Sequence, residues 1–533
     1  MILATQTIHT PSIDYLAIAP ELVLLGGAVL VLLTTSLLRG GLSRVTATAL
    51  TVATAFGALL ASLLGWHRVT TQGATTTIAH AITLDGFGSF VAITVSCTMV
   101  LATLVGHAYL TREKIQTTEY HILALISAAG AILMAQANDL IVIFLALEIL
   151  SIALYVLVAF NPLRGESGEA ALKYFILGAF SSAIFVYGIA LTYGACGSTN
   201  LTQIADFLAR SQLQHPGLLY AGITLLLVGF AFKIAAVPFH LWTPDVYQGA
   251  PSPVTGFMAA VAKAGGFAAL LRVLITSFGT QSATWRPIIY ALAVASLILG
   301  AVLAIVQRDV KRMLAYSSIN HAGFILLGVE AATTQGVTAA LYYLFAYSIM
   351  TVGTFGVISL LGGPGDADHD LTRYRGLSRR QPLLGLPLII LLLAQAGAPF
   401  TTGFLAKLGV VAASVDAGSW PLGLIAMLSA ALAAVAYLRV AVLSATPLPG
   451  EGAEDDVAPA SAVSAATARA NASILLERSP ASAALRSGEL EPAIVEIPIA
   501  AQVAIYTSVV VTVVFGVIPG PLLDLAHAAS LAI

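Results

Sequence analysis

Four of the six lysines of this 533-residue chain lie inside long apolar segments. They are Lys173, Lys233, Lys263 and Lys407. A charge at the centre of a membrane helix costs about 2.5–3.5 kcal/mol on insertion scales, so four such residues need a reason. A buried lysine can release its proton, whereas an arginine stays charged. Lysines repeated through a membrane therefore predict a proton relay.

One carboxylate accompanies these lysines. Glu148 lies in the middle of an apolar segment, with Ser151 one helical turn further along. An ion pair with a lysine would lower the cost of both charges and couple their titrations. Lys173, on the next predicted helix, and Lys233 are both candidates for the partner. Two other interpretations stay open: such a pair can be a structural clamp, and Lys173 can extend to the membrane surface.

One histidine adds a titratable group of a different kind. His321 lies about ten residues into a predicted helix, next to Ser317, Ser318 and Asn320. The ordinary pKa of histidine is near neutrality, so His321 can carry a proton between lysines. A hydrogen-bonded structural role fits a single membrane histidine equally well. The polar neighbours favour the relay.

The elements that must position these residues are membrane helices. The chain is 58% hydrophobic and 9% charged, whereas soluble domains are about one quarter charged. This composition excludes a soluble globular protein, a disordered tail and a nucleic-acid binder. With about 20 apolar residues in each span, it predicts an all-α polytopic membrane protein with about 14 transmembrane helices. The lipid bilayer is therefore an expected partner.

Two predicted helices are too long for straight spans, at about 1.5 Å per residue. One covers 217–247 and contains Pro238, and the other covers 383–414 and contains Pro399. Proline removes a backbone donor and breaks or kinks a helix, although proline in membrane helices often has no functional role. Two broken helices that lie five helices apart are typical of inverted-topology repeats in transporters.

This spacing predicts two inverted five-helix repeats, each with a broken helix. The predicted parts of the chain are an N-terminal three-helix segment at 1–119, the repeats at 120–276 and 277–442, a cytoplasmic loop at 443–497 and a C-terminal transmembrane helix at 498–533. The loop sequence is rich in Ala, Ser, Glu and Pro.

The distribution of positive charge predicts the orientation. With the N-terminus outside, sixteen lysines and arginines fall in inside connections and four in outside ones, which agrees with the positive-inside rule. Both termini are then outside. No basic residue precedes the first apolar run, so a cleaved signal peptide is not expected. We expect a multi-pass protein of a prokaryotic plasma membrane.

The chain shows no sequence signature of a cofactor or a metal site. Its two cysteines, Cys97 and Cys196, cannot form a four-cysteine zinc site or an iron–sulfur cluster. No phosphate-binding loop and no dinucleotide-binding glycine motif follows a predicted strand. Energy for transport must therefore come from an ion gradient or from a partner subunit.

Several segments closely resemble the antiporter-like membrane subunits of respiratory complex I, the proton-translocating NADH–quinone oxidoreductase. The matching segments are Leu147-Glu148, Glu169–Tyr174, Phe232–Pro251 (FKIAAVPFHLWTPDVYQGAP), Asp309–His321 and Gly403–Lys407. The resemblance covers about 20–442. Within the family, the fourteen helices, Pro20-Glu21, Asp139 and the lysine at 407 favour one of the three antiporter-like subunits over the other two.

The resemblance implies a role for each candidate residue. Glu148 and Lys233 would be the coupled pair of the first half-channel, and Lys173 would tune or feed that pair. Lys263 and His321 would carry protons across the centre, and Lys407 would connect to the outside. The chain would act as a translocase subunit of an enzyme, without a redox centre of its own.

The same resemblance implies partners. NADH, FMN, iron–sulfur clusters and quinone would be bound by other membrane and peripheral subunits. Because this family shares ancestry with multisubunit sodium/proton antiporters, a subunit of such an antiporter is the alternative function. A scaffold that transports nothing is a third. The loop at 446–493 is longer than the family implies.

Overall fold

The structure is a computed structural model that describes residues 12–38, 41–115, 118–211, 213, 216–447 and 495–532. The predicted cytoplasmic loop lies almost wholly outside these residues. Most of the described chain is helical. In chain order the helices are α1 (Ala19–Leu37), α2 (Arg44–Gln72), α3 (Gly86–Arg112), α4 (Thr118–Gln136), α5 (Leu140–Val158), α6 (Gly165–Cys196), α7 (Leu201–Arg210), α8 (Pro216–Ile234), α9 (Trp242–Gly249), α10 (Ser252–Phe257), α11 (Lys263–Arg272), α12 (Ser282–Val306), α13 (Val310–Ala331), α14 (Thr334–Leu361), α15 (Leu377–Arg380), α16 (Pro382–Ala396), α17 (Thr402–Asp416), α18 (Trp420–Ala445), α19 (Ile499–Val517) and α20 (Gly520–Ser530).

The described helices confirm the all-α polytopic membrane fold. Among them, twelve segments are long and apolar enough to cross a membrane, or thirteen if the sharply bent pair Leu371–Arg380 and Pro382–Ala396 is one span. Helix α13 is not one of the twelve, although the sequence predicts a span there. It carries charges near both ends, at Lys311 and Glu330, and a polar stretch between them. With α13, the described spans agree with the prediction of about fourteen.

Both long helices are interrupted in the structure. Pro238 lies in the segment 235–241, between α8 and α9, and Pro399 lies in the segment 397–401, between α16 and α17. Three residues in these segments adopt left-handed backbone angles: Ala235 (φ 60°), Gly397 (φ 99°) and Phe400 (φ 64°). Each interruption leaves helix-end carbonyls inside the membrane region, where they need hydrogen-bond partners.

A continuous helical segment passes through the centre of the molecule. It runs from Ser252 to Ser277 and is almost entirely buried. A π-helical turn, Met258–Ala262, precedes Lys263, and a second one, Val273–Ser277, follows Arg272. Such wide turns are frequent at functional sites. The apolar stretch of α14 that is long enough to cross a membrane is fully buried. The Ser252–Ser277 segment and α14 therefore form the core around which the other helices pack.

Three details differ from the sequence-based expectation. A short antiparallel hairpin, Thr75–Thr77 paired with Ile82–Leu84, precedes α3. The amphipathic helix α7 begins at Leu201 and is capped by Asn200, whose side chain accepts a hydrogen bond from the Gln203 backbone amide. The prediction of a single helix at 498–533 is wrong, because two helices cover this segment. Helix α19 ends at Val517 and α20 begins after Pro519. Proline cannot continue the backbone hydrogen bonding of a helix.

Candidate functional site

Glu148 and Lys233 are both bonded to serines. Glu148, on α5, accepts a hydrogen bond from the Ser182 hydroxyl of α6. One turn further along α5, Ser151 Oγ accepts a hydrogen bond from Lys233 Nζ at 2.8 Å. The direct ion pair that the resemblance implied is therefore absent from this structure.

A small cavity separates these groups. Its walls include Ser151, Ser182, Tyr155 and Lys233. It offers about 10 Å³ to the centre of a water molecule, which is close to the least that one water needs. One water in this cavity could therefore join the serine that holds Glu148 to the serine that holds Lys233.

Lys173 lies apart from this pair. Its Nζ is 2.8 Å from Glu169 Oε1 and 2.9 Å from Asp245 Oδ2, and 44% of its side chain is exposed. Asp245 also binds Arg312 at 2.8 Å. Lys173, Glu169 and Asp245 line a polar pocket of about 220 Å³. Lys173 is therefore not the ion-pair partner of Glu148 here, and the alternative that it extends toward water describes its position.

Lys233 packs against Gly266 of α11, the helix that also carries the next buried lysine, Lys263. A Cβ atom placed on Gly266 would be 3.3 Å from Lys233 Cγ, so the Lys233 side chain passes directly along α11. Lys263, one turn earlier on the same helix, donates from Nζ to Ser318 O at 2.5 Å and to Ser318 Oγ at 2.6 Å. Ser318 Oγ is also 3.1 Å from the Tyr247 hydroxyl. Lys263 is thereby joined to α13.

His321 lies one turn beyond Ser318 on α13, and two tyrosines hold its ring. Its Nδ1 is 2.7 Å from the Tyr343 hydroxyl, and its Nε2 is 2.9 Å from the Tyr437 hydroxyl. The Tyr437 hydroxyl also bonds to Ser317. Both ring nitrogens therefore have a hydroxyl partner that can donate or accept a proton.

Lys407 satisfies the end of the second broken helix. Its Nζ donates to the carbonyl oxygen of Ala396, the last residue of α16, at 2.8 Å. It also lies 5.0 Å from the ring centroid of Phe324, and that ring stacks on Tyr343. A cation at a helix C-terminus is favoured by the helix dipole. Lys407 thus belongs to the helix break and approaches the residues around His321.

Within the described residues, Lys233, Lys263 and Lys407 form no ion pair with a carboxylate. All three are at least nine-tenths buried, and none has a carboxylate oxygen within 4.0 Å of Nζ. Their partners are hydroxyl and carbonyl oxygens, which can solvate either an amine or an ammonium group. The same part of the chain has no cluster of histidine, cysteine or acidic residues arranged for a metal.

Residues 137–433 match the family described as NADH:quinone oxidoreductase/Mrp antiporter, TM. NADH-quinone oxidoreductase subunit N of Trichlorobacter lovleyi is 41% identical over 386 residues, which are 72% of this chain and 78% of that protein. The chain belongs to the NADH:quinone oxidoreductase/Mrp antiporter membrane family. The resemblance seen in the sequence is confirmed, down to the subunit N type that its motifs favoured.

Solved structures agree with this membership. A chain in the structure of respiratory complex I from Thermus thermophilus with bound aureothin is 30% identical, with a TM-score of 0.74 over 95% of this chain and 99% of that one. The structure of the Mrp complex from Dietzia sp. contains a chain that is 21% identical, with a TM-score of 0.79 over 97% and 96%. The second likeness shows a shared fold.

This member of the NADH:quinone oxidoreductase/Mrp antiporter family also buries charges that the sequence analysis had assigned to its connections. Arg272 forms a bidentate pair with Asp85 at 2.8 and 2.9 Å, and both side chains are almost fully buried. Lys311 and Asp366 are 3.3 Å apart and have no exposed surface. A charge near a predicted helix end is expected to lie at the surface. These buried pairs could therefore be identified only from the three-dimensional packing.

A buried acid in the first helix was missed for a similar reason. Glu21 is 6% exposed and stands in the first turn of α1. The sequence predicts Glu148 as the one deep acid. Glu148 is in fact only half-buried in the described chain, while Glu21 is more deeply enclosed. The signal available in the sequence was Pro20-Glu21 itself, an acid at the start of an apolar run.

Proposed function

We propose that this chain is the N-type proton-translocating membrane subunit of an NADH–quinone oxidoreductase. It moves protons through a buried Glu/Lys/His relay that is driven by quinone reduction in other subunits. The observation that carries the proposal is the row of three buried lysines, none paired with a carboxylate, on α8, α11 and α17. Helix α8 contacts α11, and α14 contacts both α11 and α17. Family membership and the name of the 41% identical relative support the same assignment.

The first half of the relay runs from Glu148 to Lys263. A proton enters at Glu148 and passes by way of Ser182, a water in the small cavity and Ser151 to Lys233. From Lys233 it moves along the Gly266 surface of α11 to Lys263. Hydroxyl groups and water suit this task because each can accept one proton while it donates another.

The second half runs from Lys263 to Lys407. Ser318 joins Lys263 to α13, where His321 stands between two tyrosine hydroxyls. Lys407, at the second helix break, receives the proton and releases it to the outside. Lys173, in its polar pocket beside Asp245 and Glu169, tunes the entrance by its charge. All six residues therefore keep the roles that the resemblance implied, with Lys173 acting from a distance.

The energy scale is compatible with such a relay. Moving one charge against 100 mV costs about 2.3 kcal/mol, and a change of one pKa unit corresponds to about 1.36 kcal/mol. Lysines that exchange hydroxyl partners for a nearby carboxylate would change their proton affinity by a few units. Quinone chemistry in a neighbouring subunit that makes and breaks such contacts would suffice to force a proton outward.

The proposal extends to partners and location. NADH, FMN, iron–sulfur clusters and quinone are bound by the other membrane and peripheral subunits, and this chain holds none of them. The complex lies in the plasma membrane of a prokaryote, with both termini of this chain outside. Two inverted repeats, at 120–276 and 277–442, provide the two half-channels.

The proposal is tested with a complex that is purified by a tag on this chain. We expect it to reduce quinone with NADH and, in liposomes, to move protons. Lys233→Ala should abolish most of the proton movement while the complex still assembles. Lys114→Ala is the matched control, because Lys114 is exposed and lies in the connection after α3.

Two outcomes would contradict the proposal. Normal proton movement by an assembled Lys233→Ala complex would leave the chain as a scaffold. An intact assembly without flavin, without iron–sulfur signals and without NADH activity, whose proton flux is stimulated by sodium, would favour a subunit of a multisubunit sodium/proton antiporter. The shared fold with a chain of the Mrp complex makes this the alternative to exclude.

A further inference from the structure

We propose that Glu21 is an additional proton-binding group of this chain, held as a neutral carboxylic acid between α1 and α4. Nothing in the relay described above uses it. The inference rests on the proposed function for its role in translocation, but the charge state of Glu21 can be tested separately.

Among the described residues around Glu21, no cation compensates a negative charge. Its side chain is 6% exposed, and its Oε2 atom is fully buried with no hydrogen-bond partner. Its other oxygen, Oε1, faces the side-chain amide of Gln136, which donates to it at 2.6 Å in the orientation that satisfies both ends of the amide. No lysine or arginine of the described chain lies within ion-pair distance. Burying an ionised carboxylate without a cation costs several kcal/mol, so the neutral form is favoured.

The buried arginine that contacts the end of α4, Arg272, is already occupied. Arg272 binds both oxygens of Asp85, so its charge is neutralised by a different acid. A Cβ atom on Gly88 would lie 2.9 Å from Gln136 Cγ, 3.3 Å from Asp85 Oδ1 and 3.6 Å from Arg272 Nη2. Gln136, Asp85 and Arg272 therefore converge around Gly88. Glu21, which contacts Gln136, is the end member of this series of polar groups.

The series continues toward the centre of the molecule. Arg272 Nε also donates to the carbonyl oxygen of Ala135, the neighbour of Gln136, at 2.6 Å. Arg272 ends α11, and Lys263 begins it. Nine residues of helix span about 13.5 Å. Glu21 and its polar neighbours thus lie near the Arg272 end of α11, opposite the end that carries Lys263.

The series also reaches toward water. Asp14, seven residues before Glu21, forms a partly exposed ion pair with Arg68 at 2.8 Å, and its backbone amide donates to Thr77 Oγ1 at 2.8 Å. The hairpin that contains Thr77 leads into Asp85 at the start of α3. Glu21 therefore lies between an aqueous edge on the predicted outer side and the buried pair of Asp85 and Arg272. The proposal places the exit of the Glu21 proton on this side of the protein.

The experiment compares the whole complex with Glu21→Gln, Glu21→Asp and Glu119→Gln. Infrared spectra would follow the carbonyl stretch of protonated carboxylic acids, and liposome assays would give protons moved per NADH. Glu119 is the control because it is an exposed acid on α4, the helix that carries Gln136. Glutamine preserves the shape of Glu21 and can still accept from Gln136, so assembly should be normal.

We expect Glu21→Gln to lose one protonated-carboxyl band and to move fewer protons per NADH, with NADH oxidation in detergent unchanged. Glu21→Asp should restore part of the proton movement, and Glu119→Gln should change neither reading. An unchanged infrared spectrum would show that Glu21 is ionised, and an unchanged proton yield would show that it only joins α1 to α4; either result overturns the proposal. If the Lys233 test instead refuted the relay, the infrared reading would still decide the charge state of Glu21.

Discussion

At the scale of single residues, the proposed relay depends on titratable groups that neighbouring hydroxyls hold in place. Ser151, Ser182 and Ser318 bond to Lys233, Glu148 and Lys263 respectively. The sequence predicts the titratable residues because each is anomalous in an apolar segment. It cannot predict their serine partners, since a serine in a membrane helix can also bond to its own backbone, as Ser62 does with Ala58.

The carboxylate of Glu148 gives the first residue-scale prediction. Glu148→Gln should reduce NADH-driven proton movement at least about tenfold, the effect of about 1.4 kcal/mol on a barrier. The amide can keep the Ser182 contact but cannot take up and release the relayed proton. Glu148→Asp should keep part of the activity, because a displaced carboxylate still reaches the cavity through water. The measurement is proton uptake into liposomes at matched rates of quinone reduction.

The control for the two Glu148 variants is Glu166, an acid that lines the polar pocket beside Lys173. Glu166→Gln changes an exposed carboxylate that binds Arg164, and surface pairs of this kind contribute about 0–1 kcal/mol. It should leave proton movement unchanged. Normal pumping by Glu148→Gln would refute the proposed entrance to the relay.

At the scale of elements, the two helix breaks were predictable and the details around them were not. Prolines and excess length locate the breaks at 235–241 and 397–401. By contrast, the buried ends of α11 and α13 were misjudged. Arg272 and Lys311 lie at these ends, and a charge near a predicted end looks exposed until the packing of other helices is known. The polar residues of α13 belong to the candidate site. They also lower the hydropathy of α13, so the helix does not stand out as a membrane span.

Gly403 provides the element-scale prediction. It lies on α17, where the two halves of the second broken helix touch. A Cβ atom there would be 1.8 Å from the carbonyl oxygen of Ala394 and 2.7 Å from its carbonyl carbon. Because these atoms belong to the backbone of α16, Gly403→Ala must push the halves apart. Overpacking of this kind costs about 1–3 kcal/mol, so the unfolding temperature in detergent should fall.

Gly194→Ala serves as the matched substitution on another membrane helix. Its Cβ atom would make an ordinary contact, 3.5 Å from Leu218 Cδ2. Alanine favours a helix over glycine by about 1 kcal/mol, so this variant should be as stable as the parent or slightly more stable. Equal unfolding temperatures for the two alanine variants would show that close contact at the second break does not matter.

At the scale of the whole molecule, Asp366 joins regions that are far apart in the sequence. It lies in the connection after α14 and has no exposed surface. Its carboxylate accepts hydrogen bonds from the backbone amide and the hydroxyl of Ser252 at 2.8 Å, at the start of the central helical segment. It is also 3.3 Å from Lys311, the second residue of α13, and 3.1 Å from His369.

The consequence is that one carboxylate fixes the starts of two helices that carry residues of the proposed relay. α13 carries His321, and the segment that begins at Ser252 carries Lys263. Lys311 Nζ also donates to the carbonyl oxygen of Ala250 at 2.5 Å, which ties the end of the first broken helix to the same cluster. Asp366 is therefore a positioning residue for both halves of the proposed relay.

Asp366→Asn should destabilise the whole chain. Removing one member of a buried ion pair costs about 3–5 kcal/mol, because the partner's charge is left uncompensated. Asp368→Asn is the control, since Asp368 is a 40% exposed acid whose pair with Arg373 is 3.5 Å long. It should change stability by less than about 1 kcal/mol. Unfolding temperatures of the purified chain in detergent at neutral pH give the comparison.

The pH dependence of this effect has a definite sign. Burial alone would raise the pKa of Asp366, but the charge of Lys311 and hydrogen bonds from His369 and Ser252 hold its pKa well below the usual range. The stability that its ionised form contributes is therefore complete above the unfolded-state pKa of about 3.9 and is lost as the pH falls below it. The difference between the parent and Asp366→Asn should stay constant from pH 8 to about pH 5 and shrink in more acidic solution. A difference that grew on acidification would mean that Asp366 is buried as a neutral acid, and that the two halves of the relay are not joined by its charge.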